Sequence, residues 1–195
     1  MKRICRAIVV FSLAVFLLFT TASIAPAQQA GPFYVGVFGA FVIPDDLEVE
    51  GYRDINLDKS WAFGVKGGYI IPQLKWLVVE VEYTYLAKQD FDEPRGGGDF
   101  RAQNLMGNLL FRYPQGKIHP FVGFGLGLSR GEVKGSLDDD DTTIASQFIG
   151  GVNFEIAPNL SVDLAYKWFT CEYEFHGNDT EVSNHMFQVG INYHF

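Results

Sequence analysis

The sequence predicts an all-β fold: an eight-stranded antiparallel up-and-down transmembrane β-barrel. Three observations predict it. Eight segments alternate apolar with polar or tiny side chains at a period of two, the mark of an extended chain with two unlike faces. The connections between them alternate short and long, as successive hairpins require. The hydrophobic share of 48% is divided among short stretches. After residue 27 no run approaches the roughly 20 apolar residues a membrane helix needs. The chain also carries 21 glycines, each costing about 1 kcal/mol inside a helix.

Residues 1–27 read as a cleaved signal peptide. Lys2, Arg3 and Arg6 form the charged start, Ala7 to Phe19 the apolar centre, and Ala25-Pro-Ala27 the small-residue cleavage site. Residues 28–195 then form one barrel domain.

The first strand is expected over Phe33 to Phe41, with Val35, Val37 and Phe41 opposing Tyr34, Gly36, Phe38 and Ala40. The second, Trp61 to Tyr69, sets Phe63 and Val65 against Gly64, Lys66 and Gly68. A turn through Pro72 leads to the third, Trp76 to Leu86, where Val79, Val81 and Tyr83 oppose Glu80, Glu82 and Thr84. The fourth, Phe100 to Tyr113, is the least regular, because Met106 and Leu110 share the polar face with Asn104, Asn108 and Arg112.

After a turn at Pro114-Gln-Gly-Lys117, the fifth runs Ile118 to Ser129 and alternates Val122, Phe124 and Leu126 with Gly123, Gly125 and Gly127. The sixth, Ile144 to Ile156, puts Gly151, Asn153 and Glu155 on its polar face. The seventh, Leu160 to Phe169, puts Ser161, Asp163, Ala165 and Lys167 there. The eighth, Phe187 to Phe195, alternates without exception: Val189, Ile191, Tyr193 and Phe195 against Gln188, Gly190, Asn192 and His194. Turns near 71–75, 114–117 and 157–159 are tight. Linkers near 43–60, 87–99, 130–143 and 170–182 are long, and hold all the acids except Glu80, Glu82, Glu155 and Asp163.

A soluble barrel would alternate too, with its apolar face inward. Two features favour lipid outside. The polar face is rich in glycine, which suits a narrow lumen better than a solvated surface. Trp61, Tyr69, Trp76, Tyr85, Tyr113, Trp168 and Tyr193 fall near the ends of the apolar faces, where a membrane barrel carries aromatic girdles. Lys66, Glu80, Glu82, Arg112, Glu155, Asp163 and Lys167 then face a confined interior. Charges withdrawn from bulk water must be paired, since breaking such a pair costs about 3–5 kcal/mol. They are expected to form a lumen salt-bridge network, with Lys66 opposite Glu80 across the Pro72 turn.

The chain resembles the small eight-stranded outer-membrane barrels, the superfamily of OmpA-type, OmpX-type and opacity-protein barrels. The resemblance rests on the signal sequence, the four hairpins, the Gly-rich strand Phe121-Val-Gly-Phe-Gly-Leu-Gly127 and the aromatic end Tyr193-His-Phe195. It implies short periplasmic turns, four long external loops, and a place in the cell outer membrane. It also implies contact with outer-membrane lipid and lipopolysaccharide. Val189, Ile191, Tyr193 and Phe195 would be the C-terminal signal read by the barrel-assembly machinery. No peptidoglycan-binding domain is expected after the last strand. The implied role is structural or surface-interactive, with a surface ligand on the external loops; a narrow porin or small-ligand conduit is the alternative.

Removing residues 1–27 leaves 12 basic and 23 acidic side chains, a formal net charge of −11, which disfavours nucleic acid. Acidic clusters such as Asp138-Asp-Asp-Asp141 lack the spaced ligands and Gly of a calcium loop, so they read as solvated charge and no metal or cofactor is expected. Cys171 is the one cysteine left in the mature chain and reads as a half-buried small residue. A lipid A-modifying hydrolase is the second alternative, through Ser183 and His185 with Glu181. In lipid A deacylase barrels His precedes Ser by two residues and Asn follows, whereas this chain has Ser183-Asn184-His185. No enzyme is expected.

Overall fold

A computed structural model describes residues 31–44, 59–90, 99–134, 139–175 and 178–195; the signal-peptide reading of residues 1–27 lies outside them. Eight antiparallel strands close into a barrel in chain order. They are β1 (Phe33–Pro44), β2 (Ser60–Ile70), β3 (Leu77–Asp90), β4 (Asp99–Arg112), β5 (Ile118–Lys134), β6 (Asp139–Ala157), β7 (Leu160–Phe175) and β8 (Asn178–His194). β1 pairs with β8 from Tyr34↔His194 to Pro44↔Asn184, which closes the ring and removes both sheet edges.

The strands are staggered. Starting at Tyr34, the register runs through Gly68, Glu80, Asn108, Gly125, Gln147, Phe169 and Asn184 and returns to β1 at Pro44, ten residues on. Such a stagger accompanies the tilt, typically about 35–45°, that closure of a barrel demands.

Alternation sorts the side chains as the sequence predicts. Val37, Val65, Val81, Leu126, Phe148 and Val189 point outward and are each at least 46% exposed, while Lys66, Glu80, Glu82, Asn108, Asp163 and Lys167 are buried inside. Apolar outside and polar inside is the arrangement that suits a hydrocarbon surround. Tyr69, Trp76, Tyr113 and Tyr193 lie toward the rim formed by the short turns, and Trp61, Tyr85 and Trp168 toward the other. Gly116 takes φ 80° within the turn after β4, a conformation that glycine adopts without strain.

Inward glycines make room for large lumen side chains. A Cβ at Gly68 would collide with the Tyr34 ring, and one at Gly64 with the Phe38 ring and the Tyr83 carbonyl. These two positions explain why the polar face is so small in sequence: its residues lie against the packed interior.

The strands are longer than alternation indicated. β5 and β6 pair up to Val133↔Asp139, and β7 and β8 up to Phe175↔Asn178. The long linkers expected at 130–143 and 170–182 are therefore mostly ladder. Asp90, Asp99, Glu132, Asp139, Asp140, Asp141, Glu172, Glu174, Asp179 and Glu181 also stand on strands, which corrects the expectation of only four. Backbone pairing does not need an apolar face. The sequence pattern marks where the hydrocarbon ends, and the ladder continues past it. Between the remaining strands, 45–58 and 91–98 lie outside the described residues, as do Asp45, Asp46, Glu48, Glu50, Asp92, Glu93 and Asp138.

Candidate functional site

The lumen gathers the chemistry-bearing side chains because every second residue of each strand must point into it. Nearest the turn rim, His119 lies between the Tyr113 carbonyl, 2.8 Å from Nδ1, and Glu155 Oε1, 2.8 Å from Nε2. Arg112 approaches the same carboxylate at 3.9 Å. His194 Nε2 is 2.9 Å from the Ser161 hydroxyl, and Asn153 donates to that hydroxyl at 2.9 Å.

One layer deeper, Lys66 is bonded to Asp163 and stands 3.4 Å from Glu80. Both carboxylates are also held by neutral donors: Tyr34 Oη donates to Glu80 at 2.6 Å, Asn108 at 3.1 Å, and Asn153 donates to Asp163 at 2.6 Å. Above that, Lys167 pairs with Glu82, which also accepts from the Thr84 hydroxyl at 3.1 Å. The Lys167 ammonium sits 4.8 Å from the centre of the Phe38 ring, within cation–π range.

Every one of the seven lumen charges singled out in the sequence thus has an opposite charge nearby. The expected approach of Lys66 to Glu80 is present, but it does not come from direct cross-strand register. The register sets Lys66 opposite Glu82, and Glu80 opposite Gly68, yet the Lys66 stem reaches the Glu80 layer and leaves Glu82 to Lys167 from across the lumen. Facing strands alone could not show this, because Asp163 and Lys167 come from β7.

Sequence reasoning missed three features. Tyr34, Asn108 and Asn153 complete the hydrogen-bonding of the carboxylates; their parity put them on the polar face, but only the register sets their height. His119 and His194, scattered in sequence, meet at one rim. The far half of the lumen holds an apolar cluster of Val42, Leu86, Met106, Phe169, Val182 and Met186, joined by Cys171, which is 5% exposed, and set beside the buried Asn104, Ser129 and Asn184. The irregular position of Met106 was the one sequence signal of that cluster.

Below the cluster a cavity of about 40 Å³ is lined by Lys66, Glu80, Arg112, Asp163, Asn192 and neighbours. Arg112 Nε, Asn153 Oδ1 and Asn192 Oδ1 have no protein partner. The cavity is polar enough, and large enough, for water to bridge them.

Val189, Ile191, Tyr193 and Phe195 all face outward on the last strand segment, and the Phe195 amide donates to the Phe33 carbonyl at 3.0 Å beside the β1–β8 seam. Ser183 and His185 do not form a nucleophile–base arrangement. The Ser183 hydroxyl donates to Thr170 Oγ1 at 3.2 Å, and His185 Nδ1 lies 2.6 Å from the Tyr166 hydroxyl. Among the described residues no group of three or more His, Cys, Asp or Glu side chains is disposed to hold a metal ion.

Comparison with known proteins agrees with this architecture. Residues 11–195 match the family described as Outer membrane protein beta-barrel domain. Outer membrane protein A of Escherichia coli O157:H7 is 24% identical over 189 residues, covering 93% of this chain and 54% of that protein. The Salmonella typhi protein of the same name is 24% identical over 139 residues, 68% of this chain and 39% of its own length. This chain therefore spans about half the length, or less, of these curated relatives. Among solved structures, Neisserial surface protein A superimposes with a TM-score of 0.64 at 21% identity, covering 86% of this chain and 100% of that one. Ail, the attachment invasion locus protein of Yersinia pestis, gives 0.53 at 17% identity, covering 84% and 99%; it has also been solved in complex with the heparin analogue sucrose octasulfate.

Proposed function

The chain belongs to the outer-membrane protein β-barrel domain family and resides in the cell outer membrane, and from that premise we propose a structural and surface-interacting barrel with a packed, non-conducting lumen. The observation that carries this reading is the filling of the lumen in series. The Lys66–Asp163–Glu80 and Lys167–Glu82 groups occupy its middle, and the Met106, Phe169 and Met186 cluster occupies its far half. An ion crossing it would have to separate buried charge pairs and then shed water to pass the Met106, Phe169 and Met186 cluster, each step unfavourable.

In this reading the short turns face the periplasm and the long strand ends face outside. Residues 1–27 are a cleaved export signal, and Val189, Ile191, Tyr193 and Phe195 serve recognition by the barrel-assembly machinery. Surface contact then falls to the external ends, where the acids of β5 to β8 stand. An acidic surface of this kind repels a polyanion of the sort bound by Ail, so its partner would be basic or bridged by divalent cations. The role is non-catalytic.

A narrow porin is the second reading, favoured by the polar cavity in the periplasmic half. Single-channel recording of the refolded barrel in a planar bilayer separates the two. A packed lumen gives no steps from a barrel whose folding is verified by heat-modifiable migration. Steady salt-dependent steps that change with Lys66→Met or Glu82→Gln would establish the porin.

A further inference from the structure

The outward face of β7 and β8 carries a hollow beneath a polar edge. A hollow of about 350 Å³ lies between Leu164, Tyr166, Phe187 and Val189. Tyr166 leans toward β8, its ring 5.4 Å from Phe187 and stacked 5.8 Å from His185. That lean uncovers the neighbouring strand: Gly150 is in register with Tyr166, and a Cβ built there would meet nothing within 4 Å.

Its upper edge is polar. The Tyr166 hydroxyl and His185 Nδ1 are 2.6 Å apart, and the Ser183–Thr170 hydroxyl pair follows above them. Near the same end of the barrel, β1, β2, β5 and β6 present Phe41, Trp61, Leu128 and Ile144 outward. On β3 and β4 the outward Tyr83 hydroxyl likewise donates to Gln103 at 2.9 Å; on β7 and β8 the hydrogen-bonding groups lie directly over a hollow. A polar notch above an apolar hollow matches a lipid at the point where its acyl chain joins its headgroup.

We propose that this sector holds one outer-leaflet glycolipid, with an acyl chain in the hollow and its amide or ester linkage at the Tyr166–His185 pair. The proposal rests on the membrane-barrel reading above and names the lipid partner of that surface. Glycolipid is favoured over phospholipid by the position of the notch, toward the external strand ends. The described outward side chains above it are Thr170, Glu172 and Ser183, none of them basic, so the notch reads the linkage and not the phosphate.

The test is native mass spectrometry of the full refolded barrel released from detergent after incubation with lipid A and competing phosphatidylcholine. The wild type retains one lipid A, and retains dephosphorylated lipid A equally well. Tyr166→Phe with His185→Phe lowers retention about tenfold, equivalent to about 1.4 kcal/mol. Val189→Trp, which fills the hollow, lowers it by a similar factor. Unchanged retention in all variants overturns the proposal, as does equal retention of phosphatidylcholine. A dimer abolished by Val189→Trp would assign the hollow to a second copy of the barrel and overturn it as well. Heat-modifiable migration is checked first: a chain without it sinks the barrel reading itself, whereas a folded barrel that retains no lipid sinks only the glycolipid.

Discussion

At the scale of single residues, the lumen is governed by the cost of leaving a charge alone. Glu82 is 2% exposed and Lys167 likewise 2%, so neither can find water if its partner is removed. Glu82→Gln or Lys167→Met alone should each destabilise the refolded barrel by about 3–5 kcal/mol. Replacing both together, Glu82→Leu with Lys167→Met, should return most of that loss, because the desolvation of both charges disappears with the pair. Urea midpoints of the two single variants and the double close a mutant cycle. Additive losses would mean that the two groups do not depend on each other. Parity in the sequence placed both inside. It could not say that Glu82 belongs to Lys167 and not to Lys66, because that choice depends on how far a lysine stem reaches across a closed ring.

At the scale of the strand, one rule produced most of the fold. Alternation identified all eight strands, their faces and their order, because a barrel in lipid requires apolar side chains on one side of every strand throughout the hydrocarbon. The rule fails where the hydrocarbon ends. β7 was legible to Phe169 and continues to Phe175; β8 was legible from Phe187 and begins at Asn178. In those extensions the sequence loses its two-residue rhythm while the backbone keeps its bonds. The same rule sets the tolerance of the outer face. Val81, outward on β3 and 56% exposed, stands between Val79 and Tyr83 within the apolar belt. Val81→Arg should cost about 2–4 kcal/mol in a bilayer, the figure for a midplane arginine. Equilibrium folding into vesicles measures it; a cost near zero would place this face out of the hydrocarbon.

At the scale of the whole molecule, the barrel exists only when β1 meets β8. The Phe195 amide bond to Phe33 and the stacking of their rings, 6.4 Å between centroids, lie at the turn-rim end of that seam. Phe195→Ala should remove little from the finished barrel, no more than about 1 kcal/mol, since aromatic pairs contribute about that. In cells it should sharply lower the amount assembled in the outer membrane, if the terminal residue acts in recognition. Equal yields of variant and wild type would assign the residue to packing alone.

The ten-residue stagger bears on errors as well as on shape. A slip of one residue in any pair turns an entire strand inside out, so tolerable slips come in steps of two. Around an open sheet such a slip could go unnoticed, with the last edge merely displaced. In this ring the displacements of all eight pairs must total ten before Tyr34 can face His194 and Pro44 can face Asn184. The seam therefore works as a checksum: a mispairing anywhere in the chain is reported at the β1–β8 junction, which will not close until it is corrected or matched by an equal and opposite fault.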